Sequence, residues 1–137
     1  MPTQLLIADD NIRVRRLVKD VLKSVLDVVT FAYAGNGWEV IRRAHQAKPD
    51  LIILDVSMPD LDGIQAAKLL KREMPEVPIV LFTMHNLRGV PKDFGVDAIV
   101  KKTDTIRKLR RCVQALLRPA KSGSRSGAYR SLGRDAS

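Results

Sequence analysis

The sequence predicts an α/β domain built on a parallel sheet with helices on both faces, and three observations carry that expectation. Short, unbroken apolar runs alternate with longer stretches of helical periodicity from residue 4 to residue 117. The runs lack the in-and-out alternation of a strand wetted on one side, so they suit strands covered on both faces. Consecutive runs are separated by helix-length segments, as parallel neighbours require, and right-handed crossovers then place the helices against the sheet.

In chain order, "QLLIA" (4–8) is the first strand. "IRVRRLVKDVLKSVL" follows with Val14, Leu17, Val18, Val21, Leu22 and Val25 at helical spacing, opposite Arg15, Arg16, Lys19 and Lys23. "VVTFAY" (28–33) is the second strand, after which Gly35 and Gly37 mark a turn into a helix that begins near Trp38 and buries Val40, Ile41 and Ala44. "LIIL" (51–54) is the third. The next helix starts near Asp62, with Gln65 three residues on as a capping pair, and runs through "IQAAKLLKREM". "VPIVLFT" (77–83) and "DAIVK" (97–101) are the fourth and fifth strands. Gly89 and Pro91 between them predict a short or irregular fourth helix. The last helix, from about Thr103, buries Ile106, Leu109, Val113, Leu116 and Leu117.

A chain of 137 residues, 45% apolar and 28% charged, has the size and balance of one globular domain, expected over residues 1–118. Residues 119–137 read as a basic, disordered tail, because "PAKSGSRSGAYRSLGRDAS" offers too little apolar surface to offset the entropy of ordering it. The net charge is +9; residues 118–137 hold five cations against Asp135, leaving +5 for the rest. Contact with nucleic acid is therefore expected only weakly, through the tail. No apolar run reaches bilayer length and no basic leader opens the chain, so the expected location is the cytoplasm, without membrane attachment. Cys112 is the single cysteine, which leaves no internal disulfide to form and makes a small apolar role the expectation.

In an open parallel sheet, ligands bind beyond the carboxyl ends of the strands. Strand one ends in Asp9 and Asp10, strand three in Asp55, strand four in Thr83, and strand five in Lys101 and Lys102, all on that edge. Taken singly, Asp55 could be a turn or capping carboxylate and Thr83 a hydroxyl satisfying backbone. Together they form a constellation. Three neighbouring carboxylates repel one another unless a cation joins them, and an all-oxygen set suits Mg²⁺, which leaves room for a phosphate oxygen. With Asp9 and Asp10 helping to hold the ion, Asp55 can take a phosphoryl group as an acyl phosphate, while Thr83 and a lysine donate to phosphoryl oxygens.

Other chemistries fit less well. "DLDG" (60–63) lacks the later ligands and closing glutamate of a calcium loop, and no glycine loop for a nucleotide is present. His45 and His85 are isolated; His45 is expected on a solvated helix face, and His85, with Ser57 and Met84, stands close enough to Asp55 or Thr83 in sequence to tune phosphate lifetime. A phosphatase of the haloacid-dehalogenase kind would want a second aspartate at position 57, which is Ser57.

Over residues 4–117 the chain resembles the receiver domain of bacterial two-component response regulators, on "LLIADDN", "AGNGWEVI", "LIILDVSMPDLDG" and "IVLFT" in order. The resemblance implies a flavodoxin-like, doubly wound five-stranded sheet of order 2-1-3-4-5, Asp55 as phosphoacceptor, and Mg²⁺ at Asp9, Asp10 and Asp55. It also implies a histidine kinase or histidine phosphotransfer protein as donor and a downstream protein as target. The family's spacing from Gly95 assigns its lysine to Lys102, with Lys101 as rival. The alternative reading is a receiver-like interaction module with little or no phosphorylation. One departure stands out: where many members carry an aromatic switch residue, this chain has Ile99, so the expected response to phosphorylation is ordering of residues 84–94.

Overall fold

The computed structural model describes residues 3–24, 26, 29–84, 95–104 and 106–117. The elements are β1 (Thr3–Ala8), α1 (Ile12–Lys23), β2 (Val29–Ala34), α2 (Gly37–Ala47), β3 (Leu51–Leu54), α3 (Gly63–Glu73), β4 (Ile79–Thr83), β5 (Ala98–Lys101) and α4 (Ile106–Leu117). All strand pairs are parallel, in the order β2-β1-β3-β4-β5. The predicted topology is therefore the observed one. The short helix expected between β4 and β5, His85, and the tail lie outside the described residues.

Alternation along the strands divides the core in two. Leu6, Ala8, Ile52, Leu54, Ile79 and Leu81 face the layer of α2 and α3, whereas Leu5, Ile7, Leu51, Ile53, Val80, Phe82 and Val100 face α1 and α4. Every residue of β3 is buried, and each such side chain stabilises the fold by about 1.5–3 kcal/mol relative to exposure. That explains the unbroken apolar run ahead of Asp55: a central strand has no wet face.

Caps set where the helices begin. The Asn11 side chain accepts from the Arg13 amide, Asn36 from Glu39, and Asp62 from Gln65. The last of these is the expected Asp62–Gln65 pairing, made through the backbone of Gln65. His45 stands at the exposed surface as expected, 2.6 Å from a Glu73 oxygen, tying α2 to α3. Cys112 packs beside the α1/α4 core, and burial pushes its thiol pKa up.

Some boundaries and one burial differ from expectation. The second strand extends to Ala34, the fourth begins at Ile79, and the last helix is described from Ile106. Leu17, expected inside, is 51% exposed. The stripe that α1 buries centres on Val18 and Leu22, and Leu17 stands at its margin, one turn from Val21.

Candidate functional site

The two edges of the sheet use their carboxylates differently. At the amino-terminal edge Asp50 accepts the Gln4 amide at 2.8 Å, and Asp97 accepts the Ile79 amide at 2.8 Å while pairing with Lys71 at 2.9 Å. Those groups complete strand starts. At the carboxyl edge Asp9, Asp10 and Asp55 instead face one another, with oxygens from all three within 4.8 Å. Asp9, Asp55 and Thr83 are buried, and Asp10 is exposed.

Each member is positioned by backbone. The Asp55 amide donates to the Ala8 carbonyl at 2.9 Å, which locks the end of β3 beside the end of β1. The Asp9 amide donates to Ala34, tying the acidic pair to β2 as well. The Lys102 amide donates to the Thr83 carbonyl at 2.8 Å, just after Lys101 has paired with Thr83 in the strand register. Lys102 thus turns inward. Its Nζ lies 2.6 Å from Asp9 and 3.3 Å from Asp55, and 6.0 Å from the centroid of the Phe82 ring. Lys101 is exposed.

Two residues that sequence reasoning gave no role shape this edge. Asn11 donates its amide to the second Asp9 oxygen at 2.9 Å and caps α1, so Asp9 accepts a bond at each oxygen. Gly63 brings the start of α3 against the Asp55 carbonyl: a Cβ there would lie 1.9 Å from that oxygen. The intervening loop is anchored by Met58 and Leu61, both in the α2/α3 core, and Gly37 allows Leu61 to approach, since its own Cβ would lie 2.0 Å from the Leu61 carbonyl oxygen. Asp60 absorbs the turn at a φ of 71°, a conformation Asp tolerates better than most residues.

Burial pushes the Asp9 carboxyl above its ordinary range; hydrogen bonds from Lys102 and the Asn11 amide oppose this, and the Asp55 charge adds to it. A folded pKa above the unfolded one contributes stability that is fully present below the unfolded value and is lost as pH rises through the folded value. In chelator, the chain should therefore lose stability relative to Asp9→Asn as pH rises through the carboxylate range, measured as the difference between urea midpoints. A difference of the opposite slope would mean that the Lys102 pair outweighs burial.

Fold and site together define a class: a flavodoxin-like α/β domain with a carboxylate cluster and a lysine in the crevice where ligands of such sheets bind. Residues 5–114 match the family described as the response regulator receiver domain, and the chain belongs to that family of two-component signal transduction. It is 33% identical over 106 residues to the response regulator protein VraR of Staphylococcus saprophyticus, covering 75% of this chain and 51% of that protein. A protein-glutamate methylesterase/protein-glutamine glutaminase of a Nocardioides species is 28% identical over 119 residues, covering 76% and 32% respectively. The chain thus spans about half or less of the length of these curated relatives. Among solved structures, a CheY-like receiver from Methanospirillum hungatei superposes with a TM-score of 0.78 at 18% identity, covering 85% of this chain and 94% of that one. TrrA of Thermotoga maritima, in complex with Mg²⁺ and BeF, gives 0.74 at 26% identity, covering 82% and 96%. Among the described residues no helix is long and apolar enough to cross a membrane.

Proposed function

We propose that this chain is a phosphoacceptor signalling domain that receives a phosphoryl group on Asp55 from a histidine kinase or histidine phosphotransfer protein, in the cytoplasm, and signals through altered protein binding. The observation that carries this reading is the convergence of three carboxylates within 4.8 Å, with Lys102 linking Asp9 to Asp55. The all-oxygen donor set fits Mg²⁺, which Asp9, Asp10 and Asp55 would hold and which would supply charge neutralisation for phosphoryl oxygens. The Mg²⁺ and BeF in the TrrA relative support the same choice.

The chain's own residues divide the remaining work. An Asp55 oxygen bonds to phosphorus as the phosphorus–nitrogen bond of the donor breaks; the electron pair stays on the imidazole nitrogen, which takes a proton. Lys102, already 3.3 Å from Asp55, neutralises charge on the transferred group, and Thr83, at the end of the neighbouring strand, provides a hydroxyl donor. Beyond this self-phosphorylation and the hydrolysis of its own acyl phosphate by water, which releases inorganic phosphate, the domain is not an enzyme. Ile99 is 37% exposed on edge strand β5. Its branched side chain has few χ1 choices, so output does not run through an aromatic swing at that position; the segment expected to order on phosphorylation, residues 84–94, lies outside the described residues apart from Met84.

Incubation with acetyl phosphate and Mg²⁺ should add one phosphoryl group by intact mass, chelator should abolish it, and borohydride reduction of the acyl phosphate should map it to Asp55. Absence of the label, or a label on another residue, would overturn the assignment and favour an interaction module that works without phosphate.

A further inference from the structure

The two helical layers carry unequal charge. On one face α1 has five cations and only Asp20 against them, and α4 has four cations and no carboxylate; on the other, α2 and α3 together have five cations and two carboxylates. Among the described residues, Arg42, Lys71, Lys102 and Lys108 are in salt bridges with carboxylates, whereas Arg15, Arg16 and Lys19 are not. Those three meet at one place. Where α1 runs beside edge strand β2, Ile12, Arg15, Arg16, Lys19 and Tyr33 line an open groove of about 240 Å³.

The lining has two chemistries. Tyr33 stacks on Phe31 with centroids 6.5 Å apart and planes 13° from parallel, and the Arg15 guanidinium stands 5.8 Å from the Tyr33 centroid. Ile12, 61% exposed, adds an aliphatic wall. A simple anion would account for the cations but leave the ring and the exposed isoleucine unused. An apolar ligand would leave three cations with only Asp20 as counter-charge. A nucleotide unit satisfies both, with its base against a ring and its phosphates on Arg and Lys.

We propose that this groove binds one nucleotide of a single-stranded nucleic acid, the base against Tyr33 and Ile12 and the adjoining phosphates on Arg15, Arg16 and Lys19. A strand fits better than a free nucleotide because cations continue along the same face at Arg13 and Lys23 of α1 and at Arg107, Arg110 and Arg111 of α4, where flanking phosphates find charge. A single strand fits better than a duplex because only an unpaired base offers its face to the ring. The proposal is independent of phosphorylation at Asp55.

Fluorescence anisotropy with a labelled oligouridylate and the full chain tests it, the tail being present in every variant so that differences report the groove. Arg15→Gln with Arg16→Gln should weaken binding at least about tenfold and flatten the log–log salt slope by about 1.4, two phosphate contacts at roughly 0.7 each. Tyr33→Leu, which leaves every cation in place, should weaken it about tenfold, and Tyr33→Phe should retain affinity because the stacking face remains. A cooperative melt for each variant separates these effects from unfolding. Equal binding by Tyr33→Leu, or equal competition by polyphosphate, would reduce the site to bare charge and overturn the proposal. Uridine monophosphate binding as tightly as the oligomer would refute the strand. A duplex binding equally would refute single-strand selection, and polyglutamate binding equally would point to an acidic protein surface instead.

Discussion

Gly63→Ala should destabilise the domain by about 3 kcal/mol or more, while Gly35→Ala should be nearly silent. The added Cβ at residue 63 would lie 1.9 Å from the Asp55 carbonyl oxygen and 2.8 Å from both the Asp55 carbonyl carbon and the Val56 Cα. All three are backbone atoms, so no side chain can rotate away. Relief would have to come from moving β3 or α3. The Asp55 amide is bonded to Ala8, and the Gly63 amide to the Val56 carbonyl at 2.8 Å, so both sides of the contact are tied. Further along α3, Ala66, Ala67 and Leu70 are buried in the core and resist translation of the helix. At Gly35, by contrast, the nearest atom is the end of the Arg15 side chain at 3.8 Å. The two variants are compared by urea denaturation. Equal stabilities would show that the α3 start yields easily, and with it the placement of Asp55.

Much of this architecture was legible because it depends on strand order alone. A β-α-β alternation puts the ends of all five strands on one edge, so Asp9, Asp10, Asp55, Thr83 and the two lysines could be placed there before any contact was known. The all-buried pattern of β3 was equally plain in "LIIL". Other features depend on approaches that a linear pattern does not encode. Gly63 touches a carbonyl eight residues earlier, through a loop whose path is set by Met58 and Leu61 entering the core. Asn11 was visible in "LIADDN", and its position just before a helix was the signal for a cap, but its amide bond to Asp9 requires the turn itself. Leu17 obeyed helical periodicity and still lay outside, since a stripe has margins that only its neighbours define. The charge asymmetry was hidden for a similar reason: a net charge counts cations along the chain, whereas the groove on α1 depends on which helices share a face.

Lys102→Ala should cost about 3–5 kcal/mol in chelator, and Lys101→Ala should change stability by no more than about 0.5 kcal/mol. Asp9 and Asp55 are 2% and 5% exposed, and Lys102 lies within ion-pair distance of both. Removing that cation leaves two buried carboxylates, with Asp10 close by, in a medium that screens them poorly. The large figure is the penalty of stranding those charges, and it exceeds the net worth of the intact pair. Two consequences distinguish this from simple loss of packing. Lowering the pH should restore much of the lost stability, because protonation removes the stranded charge, and Mg²⁺ should restore it at neutral pH by replacing one cation with another. A void left by the lysine stem would respond to neither. Lys101 provides the contrast: it is exposed, and its contribution at the strand end is an amide that donates to Asp104, which alanine retains. Urea midpoints for both variants, with chelator and with Mg²⁺, decide the matter. Similar losses at the two positions, or a Lys102→Ala deficit indifferent to both Mg²⁺ and pH, would show that the inward lysine does not balance the acidic cluster.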